Sequence, residues 1–396
     1  MHFVNTEIVF HNYFSTFCIY IKCLFCMFSP KLRKLSQIFN SSIAIRLSFF
    51  YSYLNLSYLI LRGAHMATIK DIADRLGISV STVSKGLNGA SDISESLRQT
   101  VLDTAVELGY TTKQMRGKLP RKLCIFVENM EYETPEQFGY DIILGFRQLA
   151  FRENYEVTVI PVTPVLQSTE KYDTYMLKNG YVGAFMLGFA LQDEWMAQFR
   201  NTSIPTVLLD NYIKKNPAVS YIGTDSFEGI DDAIEHLMSF GHSRIGLING
   251  SRNSMISDLR RQAYIDSMTA HGLPFGEATM PYGYFVPEAA KPHVESLLSM
   301  GITAILCGND LIASGVITEC ADRGVRIPKD LSVIGFDDIP VSAKLNPPLT
   351  TIRQNRIELG KCGFYALHSL INHVSISRTA LRPQLIVRES TGPVSV

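Results

Sequence analysis

The sequence predicts an α/β protein with a core of two parallel-sheet lobes and a small all-α domain in front of it. From Leu123 onward, short apolar and β-branched runs alternate with helical segments, which is typical of a parallel sheet covered on both faces. The pattern occurs twice, so we expect two lobes with a cleft between the carboxyl ends of their strands. Residues 68–109 contain three short segments with helical periodicity, which predicts a separate helical domain.

The first and third helices of this domain have clear start and stop signals. Thr68 followed by Asp71 three residues later is a helix-start pattern, and Gly77 is placed to end the first helix. Ser94 is placed to begin the third helix and Gly109 to end it. The apolar residues of all three segments recur at helical spacing, so we expect one shared core.

The second helix, in "ISVSTVSKGLN" at 78–88, presents a small polar face without an acid. Val83 and Leu87 face inward, one turn apart. The opposite face carries Ser81, Lys85 and Asn88. Helix, glycine-containing turn and helix, followed by a bracing helix, is the helix-turn-helix arrangement, whose second helix lies in the major groove of DNA. The alternative is an ordinary surface three-helix bundle, but small hydroxyls without acids favour close approach to phosphates.

The charge balance predicts that DNA binding needs two copies of the helical domain. The chain has 37 Lys and Arg and 37 Asp and Glu, so its formal net charge is zero. Residues 66–121 hold eight basic and six acidic residues, a difference of eight minus six, or about +2. Such a weak charge supports specific binding only when two heads share one DNA, so we expect a homodimer on a palindromic operator.

The core shows no signature of catalysis, and we expect neither an enzyme nor a cofactor. A glycine-rich GxGxxG after a strand, a P-loop, a GxSxG elbow and an HExxH pair are all missing from the sequence. A nicotinamide-dependent dehydrogenase is the nearest enzymatic alternative, but it would need the GxGxxG motif. His242 is expected to pack at a helix end. No metal site is expected either, because "CLFC" at 23–26 has no second ligand pair, and Cys124, Cys307, Cys320 and Cys362 are typical of buried, reduced thiols.

Residues 1–65 differ in composition from the rest of the chain, with nine Phe, three of the seven Cys and a single acid, Glu7. They lack a clear signal-peptide pattern. The apolar run at 42–61 contains Arg46 and many polar side chains, so we expect no membrane partner.

"TIKDIADRLGISVSTVSKGLN" resembles the DNA-binding head of the lactose-repressor (LacI/GalR) family of bacterial transcription regulators. The resemblance implies that three residues read bases: Val80, Ser81 and Lys85. It places six others near the DNA backbone: Thr68, Ser79, Thr82, Ser84, Asn88 and Ser94. The chemistry agrees, because Lys85 can donate to guanine O6 and N7 and Val80 can contact a thymine methyl. Family members usually begin just before the first helix, so we expect translation to start at Met66 and 1–65 to be upstream sequence.

Residues 113–122 form the expected hinge between head and core. In the family this linker becomes a short helix in the minor groove, where a leucine wedges between base pairs. Leu119 falls at that position. Gly117 and Pro120 depart from the family pattern and disfavour a helix, so a plain basic linker is the alternative.

"GHSRIGLING", "CGNDLIASGV", "RGVRIPKDLSVIGFDDIP" and "PPLTTIRQ" resemble the effector-binding core of the same family, which is like the periplasmic sugar-binding proteins. The resemblance implies an effector site formed by Asp210, Arg260, Phe285, Asn309, Asp337, Phe138 and Tyr140. The last two are weaker candidates, because "ETPEQFGY" departs from the family pattern. Acidic, amide and guanidinium groups beside an aromatic ring suit a sugar, while a phosphosugar, a nucleoside or another polar metabolite remains an alternative. A further alternative is that Asp210, Asn309 and Asp337 only cap helices or turns.

The sequence thus predicts a cytoplasmic, homodimeric repressor of carbohydrate genes that binds an operator and a small sugar-like effector. The expected domains are a head at 66–112, a hinge at 113–122 and an effector-binding core at 123–396. A sugar-binding receptor or transport protein without a DNA role is the alternative, and it would require an inactive head.

Overall fold

The computed structural model describes residues 67–110 and 120–394. The expected extension at 1–65, the wedge residue Leu119 and most of the predicted hinge lie outside the described residues. Within them the predicted fold class is confirmed, since an all-α domain precedes two lobes that each contain a mostly parallel sheet.

The head consists of three short helices, which we number in chain order with those that follow: α1 (Ile69–Leu76), α2 (Val80–Asn88) and α3 (Glu95–Glu107). The Thr68 hydroxyl accepts the Asp71 N–H and the Asp71 carboxylate accepts the Thr68 N–H, a reciprocal cap that fixes the start of α1. Gly77 ends α1 with a φ of 65°, a left-handed conformation that glycine adopts without strain. The fully or nearly fully buried core of the head contains Ile72, Ala73, Val83, Val101, Leu102 and Ala105.

Lobe 1 contains a six-stranded sheet in the spatial order β10-β5-β4-β3-β1-β2, with all neighbours parallel. Its strands are β1 (Arg121–Val127), β2 (Tyr155–Pro161), β3 (Tyr181–Leu187), β4 (Thr206–Leu209), β5 (Val219–Thr224) and β10 (Arg378–Leu381). β1 includes the last two residues of the expected hinge, because Arg121 and Lys122 pair with Tyr155 and Glu156 of β2.

Lobe 2 contains a five-stranded sheet in the order β11-β9-β8-β7-β6. Its strands are β6 (Ile245–Ile248), β7 (Ala304–Cys307), β8 (Ser332–Asp337), β9 (Thr350–Arg353) and β11 (Gln384–Ile386). Only β11 runs antiparallel to its neighbour. Strands β6, β7 and β8 are buried along their whole length, as expected for strands covered by helices on both faces.

Helices flank both sheets, and two of them pack very closely. The core helices are α4 (Phe138–Arg152), α5 (Pro164–Thr169), α6 (Tyr172–Asn179), α7 (Glu194–Gln198), α8 (Ser226–Ser239), α9 (Met255–Ala270), α10 (Lys291–Ser299), α11 (Asp310–Asp322) and α12 (Arg356–Ile371). A methyl group built on Gly360 of α12 would lie 1.9 Å from the Ile142 carbonyl oxygen, and one on Gly145 of α4 would lie 2.1 Å from the Ile357 carbonyl oxygen. The backbones of α4 and α12 are therefore in contact through these glycines.

The chain passes between the lobes three times: from β5 to α8, from β9 to α12 and from β10 to β11. Each passage leaves from the carboxyl end of a strand, so the carboxyl ends of both sheets adjoin the junction between the lobes. Ligands of open α/β sheets bind at such edges.

The head also contacts lobe 1, through α3 and α6. Leu177 of α6 is 4% exposed and belongs to the apolar core of the head. Beside it, the Thr174 hydroxyl donates to Asp103 of α3 over 3.2 Å, and the Lys171 ammonium lies 3.9 Å from the same carboxylate. The helical domain is thus packed on the lobe as well as linked to it.

Candidate nucleic-acid interface and ligand pocket

The start of α2 forms an exposed cluster of small side chains. Ser79 caps the helix, its hydroxyl accepting the Thr82 N–H over 3.1 Å. The same hydroxyl lies 2.7 Å from the Ser81 hydroxyl and 2.8 Å from that of Thr82. Val80, at the first helical position, is 49% exposed. An apolar and a hydroxyl side chain are therefore presented together at a helix N-terminus.

Lys85 lies one turn further along the same exposed face. Its ammonium donates to the carboxylate of Asp92, which follows α2 in the turn leading to α3. This hydrogen bond lowers the pKa of Asp92. The three predicted base-reading residues, Val80, Ser81 and Lys85, are all exposed, as contact with base edges requires.

The predicted backbone-contacting residues occupy positions that also stabilise the head. Thr68, Ser79 and Ser94 each cap one of the three helices. Asn88 donates through its amide to the Ser84 carbonyl oxygen over 2.8 Å, and Thr82 is half-buried beside its cap. Helix N-termini carry free N–H groups and partial positive charge, which favour a phosphate nearby.

At the junction of the lobes, Arg260 is the centre of a buried charged group. It projects from α9, is 3% exposed, and donates to the Gly308 carbonyl oxygen. Its guanidinium lies 3.8 Å from the Asp337 carboxylate and 3.8 Å from the centroid of the Phe336 ring. Asp337, at the end of β8, also accepts from the Gln354 amide over 2.7 Å.

Asp210, which directly follows β4 in lobe 1, belongs to the same buried charged group. Burial raises its pKa to about 6; the nearby Arg260 lowers the pKa and Asp337 raises it, so these three residues interact across the junction. Among the described residues, the buried Asp210 Oδ1 and Arg260 Nε atoms have no hydrogen-bond partner. The hydroxyl of Ser257, one turn before Arg260, is also unpartnered there. An unpaired buried donor and acceptor are costly unless a bound molecule satisfies them.

Asn309 and Phe285 lie together on the lobe 2 side. Asn309 caps α11 by accepting the Ile312 N–H over 2.9 Å, and its amide donates to the Phe285 carbonyl oxygen over 3.4 Å. A methyl group built on Gly250 would lie 2.0 Å from the Phe285 ring and 2.5 Å from the Ser257 hydroxyl. The ring is therefore close to the first turn of α9, on the same side of the lobe as Arg260.

The two weaker candidates, Phe138 and Tyr140, lie in the first turn of α4 in lobe 1. Phe138 packs against the core between α4 and the sheet. Tyr140 lines a surface depression of about 370 Å³ together with Tyr132, Glu133, Ile143, Leu144, Arg147 and Val159.

Several residues near the junction were not foreseen from the sequence. Phe336 stacks on Arg260 and Gln354 holds Asp337, but neither follows a sequence signal. Asp310, next to Asn309 in "GND", is fully buried and accepts from Ser342 and Thr351. Burial raises its pKa to about 7, with Asp337 adding to the rise.

Two other groups of side chains have an ordinary structural role. His242 is 3% exposed and hydrogen-bonded to Thr303 and Ser332, which confirms that it packs after a helix end. Asp231, Glu235 and His271 place three potential metal-ligand atoms within 4.8 Å of one another on α8 and α9. The His271 ring lies 3.3 Å from Asp231, within hydrogen-bond distance, and 3.9 Å from Glu235, so the three side chains contact one another.

Across residues 67–110 and 120–394, none of the helices has the length and apolar character needed to cross a membrane.

Known proteins match both parts of the chain. Residues 68–113 match the family described as bacterial regulatory proteins, lacI family, and residues 234–391 match a periplasmic binding protein-like domain. The HTH-type transcriptional repressor PurR of Actinobacillus pleuropneumoniae serotype 3 (strain JL03) is 28% identical over 323 residues, which cover 81% of this chain and 95% of the repressor.

Two solved structures share the fold. The transcriptional regulator CelR in complex with cellobiose has a TM-score of 0.61 at 23% identity, covering 82% of this chain and 99% of that one. The Lac repressor dimer bound to operator and the anti-inducer ONPF has a TM-score of 0.59 at 24% identity, covering 83% and 99%. The match to the regulatory head favours a regulator over a receptor without a DNA role, and the relatives are repressors, not enzymes. The chain is therefore a DNA-binding transcriptional regulator whose head, at 68–113, matches the lacI family of bacterial regulatory proteins.

Proposed function

We propose that this regulator is a cytoplasmic homodimeric repressor whose two heads bind a palindromic operator and whose interlobe pocket binds a small sugar-like effector. In this proposal Val80, Ser81 and Lys85 contact base edges, and Thr68, Ser79, Thr82, Ser84, Asn88 and Ser94 lie near phosphates. Leu119 is the wedge of the hinge. The core at 123–396 carries the pocket and the dimer contacts.

The observation that carries the effector proposal is the pair of unsatisfied buried atoms at the interlobe junction, Asp210 Oδ1 and Arg260 Nε. One belongs to each lobe, so a molecule that donates to the carboxylate and accepts from the guanidinium is held by both. Hydroxyl groups do both, which favours a sugar over an anion. The Phe285 ring, on the lobe 2 side, supplies an apolar wall for the C–H face of a pyranose. Asn309 and Asp337 complete the proposed set in lobe 2, and Phe138 and Tyr140 are its weaker candidates in lobe 1.

The contact of the ligand with both lobes couples ligand binding to DNA binding. A ligand bound by both lobes favours one relative position of the lobes, and it shifts the equilibrium by its difference in affinity for the two positions. Such coupling typically amounts to about 1 to 3 kcal/mol. Because the head packs on lobe 1 through Leu177, a movement of lobe 1 is passed to the head. That CelR was solved with cellobiose supports a sugar as the class of ligand for a protein of this fold.

A screen of sugars and glycosides by thermal shift tests the proposal. We expect one class to raise the melting temperature, since a ligand at 100 times its Kd stabilises the folded state by about 2.7 kcal/mol. Arg260→Ala is expected to abolish that shift, and Arg260→Lys serves as a second variant that retains the buried charge. Arg261→Ala, the next residue on α9, is the matched control, because Arg261 pairs at the surface with Glu277. A normal ligand shift in both Arg260 variants would show that the pocket is assigned wrongly.

A further inference from the structure

The turn between α2 and α3 holds Asp92 in a fixed position beside Lys85. Gly89 ends α2 with a φ of 71°, and the Ala90 N–H donates back to the Lys85 carbonyl oxygen over 3.1 Å. From the other side, the Arg98 guanidinium of α3 donates to the Ala90 carbonyl oxygen over 2.7 Å. The turn is therefore anchored to both helices, and the flexible partner of the pair is the lysine.

The pair places a carboxylate beside the only basic side chain of α2. Both side chains are about half exposed, at 49% and 55%. The hydrogen bond from Lys85 lowers the pKa of Asp92, so the carboxylate is ionised at neutral pH. A carboxylate on a surface that approaches phosphates opposes sequence-independent binding, because that binding depends on net positive charge. The Asp92 carboxylate is therefore better explained by an effect on Lys85 than by an effect on the attraction of phosphates.

We propose that Asp92 is a specificity-determining residue that restrains Lys85 as a directional hydrogen-bond donor while cancelling its charge. An ammonium has three donors. With one directed at Asp92, two remain, and guanine offers two acceptors, O6 and N7, on its major-groove edge. Asp92 thus makes Lys85 contribute to the choice of base and little to the attraction of phosphates. This proposal rests on the base-reading role proposed above for Lys85.

Without Asp92, the long lysine side chain is free to reach a phosphate instead of a base. A contact with one phosphate steepens the dependence of log K on log salt by about 0.9, so two heads add roughly 2 to the slope. Non-operator DNA gains from this contact as much as operator DNA does, whereas the base contact is weakened. The ratio of operator to non-operator affinity must therefore fall.

The test uses the full-length protein and two duplexes: one selected by the wild-type protein from a randomised pool, and a scrambled duplex of the same composition. For Asp92→Asn we expect tighter binding to the scrambled duplex, a salt slope steeper by about 1 to 2, and a specificity ratio lower by about fivefold or more. Asp92→Glu keeps the charge and is expected to restore most of the ratio.

Asp74→Asn is the matched control, since Asp74 is an exposed acid of α1 in the same head. If it changes slope and ratio as much as Asp92→Asn does, Asp92 acts only through net charge and the proposal is overturned. The Lys85→Ala background provides a second test. In that background, Asp92→Asn is expected to change the salt slope and the specificity ratio no more than Asp74→Asn does. If Asp92→Asn changes them as much as it does in the wild-type background, the link to Lys85 is overturned. Normal operator discrimination by Lys85→Ala alone would instead refute the base-reading role itself.

Discussion

Asp210 combines a backbone conformation and an environment that are unfavourable for an aspartate. Its φ of 58° lies in the left-handed region, and its Oδ1 atom is buried without a partner among the described residues. Burial raises the pKa of Asp210 to about 6 from an ordinary value of 3.8. Such local costs are retained where a binding site uses them. We therefore expect Asp210 to reduce stability in the absence of ligand and to supply affinity in its presence.

Replacing Asp210 with Asn should stabilise the unliganded protein. An acid whose pKa is raised from 3.8 to about 6 binds more protons in the folded state than in the unfolded state. The free energy of unfolding therefore falls as pH rises through that window and stays low above it. Because Asn carries no charge and tolerates positive φ, Asp210→Asn should gain about 1 to 3 kcal/mol at pH 7. Urea denaturation at pH 7 and at pH 5 measures the gain, which should shrink at the lower pH.

Asp322→Asn provides the comparison, because Asp322 is an exposed acid at the end of α11. Its unfolding free energy should differ little from that of the wild type at either pH. A stability loss in Asp210→Asn at pH 7 would contradict the pKa argument. The same variant should also lose the ligand shift that the sugar screen identifies.

Elements with local signals could be predicted from the sequence, whereas those that depend on tertiary contacts could not. α2 was expected because Val83 and Leu87 recur one helical turn apart, and both pack in the core of the head. No helix was assigned over α12, where Gly360 and Gly363 lower the helix propensity. It forms nonetheless because those glycines let it lie against α4 and against the Phe185 ring.

The proposed effector site shows the same division between local signals and tertiary contacts. The family resemblance implied Asp210, Asn309 and Asp337, and each of them follows a parallel strand at the sheet edge where ligands of such folds bind. The partners that determine their charge states could not be located. Asp337 is held by Gln354 from a different element, and Arg260 stacks on Phe336. Contacts of this kind join residues far apart in sequence, and periodicity carries no information about them.

The close contact of α4 and α12 predicts a strong effect of one methyl group. Gly360→Ala places that group 1.9 Å from a backbone oxygen, so the two helices must separate. Overpacking of this kind typically costs 1 to 3 kcal/mol, and we expect a lower melting temperature and a lower urea midpoint. Gly276→Ala is the control, because a methyl group there meets nothing within 4 Å. Equal stability of Gly360→Ala and Gly276→Ala would show that α4 and α12 accommodate the added methyl group, contrary to this prediction.

At the scale of the whole molecule, the proposed base-reading face of α2 and the interlobe junction lie in different domains, so an effect of a ligand on DNA binding requires a physical connection between them. One connection is the chain itself, at residues 111–119. A second is the packing of the head on lobe 1, where Leu177 completes the core of the head and Asp103 bonds to Thr174. Lobe 1 in turn touches lobe 2 beside the pocket, where the Leu191 N–H donates to the Asn253 carbonyl oxygen over 3.0 Å. The path from ligand to DNA thus runs through lobe 1.

Shortening Leu177 should loosen the head from lobe 1 without altering either the pocket or α2. Leu177→Ala removes apolar contact from the head core, where truncation of a buried leucine typically costs 2 to 5 kcal/mol. Because the removed contact joins α3 and α6, we expect the loss to appear as opening of these two helices, which contain Arg98 and Lys178. The rate of tryptic cleavage in the two helices should rise several-fold under native conditions, where it follows the population of the opened form.

Val165→Ala is the matched control for this variant, since Val165 of lobe 1 is 70% exposed and its truncation removes little buried surface. Its cleavage rate should equal that of the wild type. The coupling argument adds a second readout: Leu177→Ala should bind the effector normally, yet the effector should change its operator affinity less than it changes that of the wild type. If cleavage and coupling are both unchanged in Leu177→Ala, the contact between α3 and α6 transmits nothing, and residues 111–119 alone connect the pocket to the DNA.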